Sequence, residues 1–477
     1  MTYFSALGNP LSGSGFASSG LPGTTAWRAL LALAVVFVLL ATTGWTAVRK
    51  HHADAGPRAS ALLAWEKGSL AGRPLPDPDA PAGRIARYFA SLDTAQQRTL
   101  ARRYPLVVGN LAGAPLPLRY RANHTALRTA LRVERARTAD ERLTDEGRHE
   151  ATRRMHRFAS MLRPGRQILS FDPTGRGHAA EVFGDLAHAR RVSVVVPGVD
   201  TELLTFEKSA RRYAAPVGMA DALQKEQEAA APRVRTATIA WADYTAPVGL
   251  GVDAASGELA QEGAARLDRL VRSLPATLRA TAHSAPVGDE ADGTAQRAAH
   301  ATGSTDRGAT DPSTTDRSTT ARNTAAGNTA ARSTAGRTAA PKVSLFCHSY
   351  GSVVCGLAAG RLPSSVTDIA VAGSPGMRAD NAAGLRTRAH VWAMRDRDDW
   401  IADVPHMDVG GLGHGADPVA DGFGARHLSA AGAEGHTGYF VPHTRSLANF
   451  AAVGTGSYQD VTCDSSDPEC SFVPEPR

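Results

Sequence analysis

Cysteines, aromatic side chains and long hydrophobic runs are all scarce in this sequence, and each scarcity excludes a class of protein. Four cysteines in 477 residues are too few for a disulfide-built scaffold. No CxxC or HxxxH pair stands beside a second cluster, so no metal site is expected. There is no glycine-rich phosphate loop and no other cofactor motif, so no cofactor is expected. Aromatics amount to 6% and never interleave with a basic stripe. The formal charge of +7 therefore reads as solvated surface, and no nucleic-acid partner is expected.

One apolar run is long. Residues 29–48, ALLALAVVFVLLATTGWTAV, carry no charge and match the roughly 20 residues that a membrane-spanning helix needs. No small-x-small cleavage site follows directly, which favours a single-pass anchor over a cleaved signal peptide. Arg49 and Lys50 after the run would hold the bulk of the chain in the cytoplasm. Cys463 and Cys470, close enough in a polar tail to close a small loop, argue for an oxidising compartment. The expectation adopted is a single-pass membrane-anchored protein with its main domain outside the cytoplasmic membrane. Cys347 and Cys355 sit in apolar surroundings and read as small core residues.

The remaining organisation follows from composition and period. Residues 1–28 are expected to be disordered, and 49–82 to be a polar linker with one helical patch near Leu62 and Trp65. Helical spacing governs 83–165, with Asp93 placed as an N-cap and an Arg/Glu-laced stretch read as exposed helix with i,i+4 charge pairs. From residue 166 the pattern becomes that of strands: QILSFDP, EVFGDL, VSVVV, VRTATIAW, SLFCH, TDIAVAG and AHVWAM. Continuous apolar runs separated by helical stretches imply an α/β domain, with a mostly parallel sheet covered by helices on both faces. This domain is expected to span 166–457, with 458–477 as a C-terminal tail. Residues 284–340, almost entirely Thr, Ala, Ser, Gly, Arg and Asp, cannot bury a core and are expected to form a disordered insertion.

The chemistry centres on Ser349. The strand VSLFC runs into Cys347-His348-Ser349-Tyr350-Gly351 and then into an apolar helix. Strand, sharp turn and helix with serine at the apex form a nucleophile elbow. Cys347 stands where the first glycine of GxSxG is expected. A serine needs a base, and the base an orienting acid, following in the order Ser, acid, His. Asp396, Asp398 and Asp399 follow the strand AHVWAM. Asp399 is selected because Trp400-Ile401 would anchor it against the core. His406, His414, His427, His436 and His443 are candidate bases. His436 is selected because Gly435 and Gly438 allow a tight loop that Tyr439-Phe440 can pin. His348 is expected to point away from the serine hydroxyl and to pack. The oxyanion hole needs two backbone N–H groups: Tyr350 supplies one, and Val199, after VSVVV, is nominated for the other, with Asp200 next.

Together, LVVGNLAGAPLPLRYRAN, VFGDLAHARRVSVVVPGVDTEL, CHSYGS, VAGSPGM, HVWAMRDRDDWI and GHTGYF, in this order, resemble an uncharacterised α/β-hydrolase family of actinobacterial type, a domain of unknown function. The resemblance implies an α/β-hydrolase fold behind a helical N-terminal region, with Ser349, Asp399 and His436 in the site. Cys347 for glycine, Trp400 where proline is usual, and the insertion are departures. The expected activity is hydrolysis of a carboxylic ester, a small molecule or a lipid or envelope acyl group, through an acyl-enzyme. Acyl transfer by the same residues and a catalytically silent interaction scaffold are the alternatives.

Overall fold

The computed structural model describes residues 56–284, 340–409 and 412–472. The apolar run 29–48 and nearly all of the insertion lie outside these residues. No described helix is long and apolar enough to cross a membrane.

Helices begin inside the segment expected to be a linker: α1 (Pro57–Glu66), whose Trp65 is buried, precedes α2 (Ala82–Ala90) and α3 (Thr94–Arg103). Proline at the first turn suits α1, because the missing N–H has no helical partner there. Asp93 caps α3 as expected: its carboxylate accepts from Gln96 N–H at 2.8 Å while the Gln96 side chain returns to Asp93 N–H, closing a capping box. The Arg/Glu-laced stretch is not one exposed helix. It splits into α4 (Leu116–Thr138) and α5 (Asp145–Met161), and its one-turn ion pairs run i,i+3 instead of i,i+4, as Arg137–Glu134 does at 2.9 Å. Glu134 is buried and also meets Arg154 of α5 at 2.9 Å. Periodicity alone does not show which charges two packed helices will enclose.

These helices also cover a sheet edge. The first strand, β1 (Gln167–Asp172), has unpaired backbone groups on its outer side, which is an invitation to aggregation. Three side chains of the 106–123 segment occupy them. Asn110 exchanges hydrogen bonds with Phe171, Arg119 donates to Leu169 O at 2.8 Å, and Asn123 donates to Ile168 O at 2.9 Å.

The other strands are β2 (His178–Gly184), β3 (Arg191–Val196), β4 (Thr236–Ala242), β5 (Lys342–His348), β6 (Val366–Ala372), β7 (His390–Met394) and β8 (Arg426–His427). The sheet order is β8-β7-β6-β5-β3-β4-β2-β1. Pairing is parallel from β8 to β4 and antiparallel at β4–β2 and β2–β1. Expected and observed architecture agree, but two-residue β8 carries too short a pattern to be read in advance. The described part of the tail is tied back to β8. Cys463 bridges to Leu428, Asp467 accepts from His427 N–H at 3.0 Å, and a Cys463–Cys470 disulfide closes the loop.

Alternation along the strands divides the core. Leu345 and Cys347 of β5 face the helices α7 (Glu258–Ala282) and α8 (Gly351–Ala359). Phe346 faces α6 (Pro216–Ala230) and α9 (Arg445–Thr455), packing edge-on against Phe450 with ring centroids 5.1 Å apart. Truncating such a fully buried Phe346 to alanine would cost about 3–5 kcal/mol. From β3 the chain crosses first to β4 on one side and then to β5 on the other. Loops after β3 and β5 therefore diverge at their C-terminal ends, where α/β sheets open a crevice.

Candidate active site

Ser349 stands at that crevice, between the last residue of β5 and the first turn of α8. Its φ is +56°, a left-handed conformation unusual for a side-chain-bearing residue. The strained backbone is held by Ser349 N–H donating to Ala372 O at 3.0 Å and by Ser352 Oγ–H donating to Ser349 O at 2.5 Å. Any side chain at Gly351 would collide with the Val196 carbonyl oxygen, so strand and helix approach only with glycine there. Cys347 is not a free core thiol: it is disulfide-bonded to Cys355 in α8. The bond ties the strand before the elbow to the helix after it. The pair lies eight positions apart in sequence, and only the reversal at the elbow brings them together.

His436 comes from a short 3-10 turn, Gly435–Thr437. Its Nε2 lies 2.8 Å from Ser349 Oγ, and its Nδ1 lies 2.8 Å from Asp399 Oδ1. Asp399 also accepts from Ile401 N–H at 2.9 Å and, on Oδ2, from Tyr439 Oη–H at 2.6 Å. Burial pushes the Asp399 carboxyl up, but the bonds from His436, Tyr439 and the Ile401 amide outweigh it and hold its pKa below the ordinary carboxylate value. Burial and the neighbouring carboxylate raise the Tyr439 phenol, which remains a donor.

The structure thus brings Ser349, His436 and Asp399 into one hydrogen-bonded chain, and leaves the other candidates elsewhere. His427 lies in β8 with Nδ1 on Ser466, His406 bonds Pro375 O at 3.0 Å, and His414 packs edge-on to the Tyr350 ring. His443 is exposed. Asp398 is exposed. Asp396 is not a solvated loop charge: it accepts from Gly435 N–H at 2.9 Å, and its own N–H donates to Tyr439 Oη at 2.9 Å. It braces the turn that carries the base. Ile401 is buried as expected, but Trp400 is 41% exposed and lies on the His436 ring, centroids 4.5 Å apart, rather than in the core. His348 packs as expected and also bonds through Nε2 to the His436 carbonyl at 2.6 Å; burial, helped by His436, lowers its pKa to about 4.

Gly373 escaped the sequence reading. A Cβ there would stand 2.7 Å from Asp399 Oδ2 and 3.1 Å from His436 Nδ1, so this glycine leaves room for the pair. Its signal was position, at the C-terminal end of an apolar strand in VAGSPG. The loop after β3 presses on the serine in the same way, since a Cβ on Gly198 would lie 2.7 Å from Ser349 Cβ. Tyr244 Oη–H fixes that loop by donating to Pro197 O at 2.6 Å. Asp200 N–H is engaged by Pro247 O at 2.8 Å, whereas neither the Val199 nor the Tyr350 amide meets an acceptor among the described residues. Among those residues no group of three His, Cys, Asp or Glu is placed to hold a metal ion.

Comparison with known proteins agrees with this architecture. Residues 172–290 and 280–409 match the family model described as alpha/beta hydrolase. The chain belongs to an α/β-hydrolase family. Membership supports a hydrolase-type activity, and the matched residues include the elbow and Asp399, with His436 beyond them. Two uncharacterised proteins of Mycobacterium tuberculosis, MT2140 and Rv2079, are each 27% identical over 207 residues. The match covers 36% of this chain and spans 30% of the length of each relative. No solved structure matches the chain.

Proposed function

We propose that this chain is a serine hydrolase that cleaves a carboxylic ester through an acyl-enzyme. The observation that carries the reading is the relay from Ser349 Oγ to His436 Nε2 and from His436 Nδ1 to Asp399, both links 2.8 Å. Ser349 Oγ attacks the ester carbonyl as its proton passes to Nε2, and Asp399 stabilises the imidazolium while fixing Nδ1 as the protonated nitrogen. The tetrahedral oxyanion is received by the amides of Tyr350 and Val199. His436 then returns the proton to the departing alcohol. Water, deprotonated by the same imidazole, attacks the acyl-Ser349 ester, releasing the acid and restoring the hydroxyl.

The chain further reads as anchored through residues 29–48 with the hydrolase domain on the oxidising side of the membrane. The Cys347–Cys355 and Cys463–Cys470 bonds support that side. A fluorophosphonate probe tests the activity: it is expected to phosphonylate Ser349, with adduct mapping by mass spectrometry. Labelling that persists in Ser349→Ala would overturn the assignment.

A further inference from the structure

Among the described residues, large apolar side chains exposed to water are few, and more than half of them fall on two loops. Six of the ten among the described residues are Val248, Leu250, Val252, Trp400, Met407 and Leu412. All six lie on two loops at the C-terminal edge of the sheet, one after β4 and one after β7. Hydrogen bonds tie both loops to the surroundings of Ser349. Gly249 N–H donates to Asp200 Oδ1 at 2.8 Å, next to the Val199 amide. Ser256, at the end of the first loop, accepts from Tyr350 Oη–H at 3.1 Å and forms an isolated bridge with Leu412, joining the loops. Trp400 lies on His436. The two loops that carry the six side chains are therefore joined to each other and to the residues around Ser349, which is 5% exposed.

Clustered apolar exposure of this kind marks a binding surface. The charges on the same loops indicate what it excludes. Asp253 and Asp403 are exposed, Arg397 faces Asp398 at 3.5 Å, and the Arg378 guanidinium reaches the same loops, donating to Gly413 O at 2.5 Å. A rim that is mainly apolar, with charges of both signs beside it, has no excess of one sign to hold an ionic headgroup and accepts uncharged hydrocarbon.

We propose that this rim receives the hydrocarbon chain of an uncharged long-chain acyl ester, presented at the surface of a lipid aggregate above Ser349. The proposal rests on the serine-hydrolase reading and adds the substrate class. The full chain is assayed on micellar p-nitrophenyl dodecanoate and on dissolved p-nitrophenyl acetate. Val248 and Leu250 are 65% and 69% exposed, so the double variant Val248→Ser/Leu250→Ser removes apolar surface without opening the core. Its ratio of kcat/KM for dodecanoate over acetate is expected to fall about tenfold or more. Val133→Ser, at a comparably exposed apolar position on α4, is expected to keep the wild-type ratio. An unchanged ratio in the double variant, with Ser349 still labelled by fluorophosphonate, overturns the rim proposal alone. No turnover of either ester and no label on Ser349 overturns the hydrolase reading, and the rim proposal falls with it.

Discussion

Replacing Asp399 by asparagine removes one charge and one acceptor from a carboxylate whose side chain is fully buried. Two donors converge on Oδ1, from His436 Nδ1 at 2.8 Å and Ile401 N at 2.9 Å, while Tyr439 Oη meets Oδ2 at 2.6 Å. The asparagine oxygen therefore belongs on the Oδ1 side, and the amide NH2 turns to Tyr439. The phenol oxygen has a lone pair to accept it besides the one used by Asp396 N–H. His436 then keeps its proton on Nδ1, and Nε2 remains able to take the serine proton. What is lost is the charge beside the imidazolium. Unit charges about 4 Å apart at an effective dielectric constant of about 20 attract by about 4 kcal/mol, which corresponds to roughly 10³ in rate. On dissolved p-nitrophenyl acetate, kcat of Asp399→Asn is expected to fall by that order, with KM little changed. A fall of about 10⁴ or more would show that the amide turns its NH2 to the ring and holds the wrong tautomer. A fall of less than about tenfold would remove Asp399 from the reaction.

The other expectations follow from neighbouring contacts. Asp396→Ala releases Gly435 N–H from its acceptor and is expected to lower kcat about tenfold, roughly 1.4 kcal/mol, whereas Asp396→Asn keeps an oxygen there and stays near wild type; equal losses in both would refute the bracing role. Cys347→Ser/Cys355→Ser opens a ring between residues eight apart and is expected to cost about 2.5 kcal/mol in chemical denaturation on the chain-entropy account. For His348, the folded pKa of about 4 lies below the unfolded value of about 6.5, so its contribution is complete above about pH 6.5 and is lost as the pH falls toward 4, by roughly 3 kcal/mol at most. Thermal unfolding across that window should show a steeper acid loss in wild type than in His348→Gln; parallel curves would mean that His348 does not stay neutral in the folded protein.

Much of this protein was legible locally. The run VSVVV, buried along its whole length, reads as a strand covered on both faces. The change from strand to apolar helix across CHSYG marked Ser349, because an elbow is a property of a few adjacent residues. Asp399 and His436 were selected by loop position, behind a strand and between glycines, and the geometry places His436 on the serine and Asp399 on His436. What the sequence left undetermined depends on separations that pattern does not encode. Asn110 lies 61 residues from the Phe171 backbone it covers, and Asp396 lies 39 from Gly435. Cys347 and Cys355 are near in sequence, but the elbow alone turns a strand residue toward a helix residue. Trp400 reads as a core anchor from its apolarity, yet it rests half-open on His436. The exposed apolar residues on the loops leaving β4 and β7 are isolated hydrophobics until folding joins those loops near Ser349. Hydrophobic period and turn chemistry act over a few residues and so fix strands, helices and the elbow. Which buried charge is paired, which edge is covered and which apolar side chain is left in water are decided only when distant segments pack.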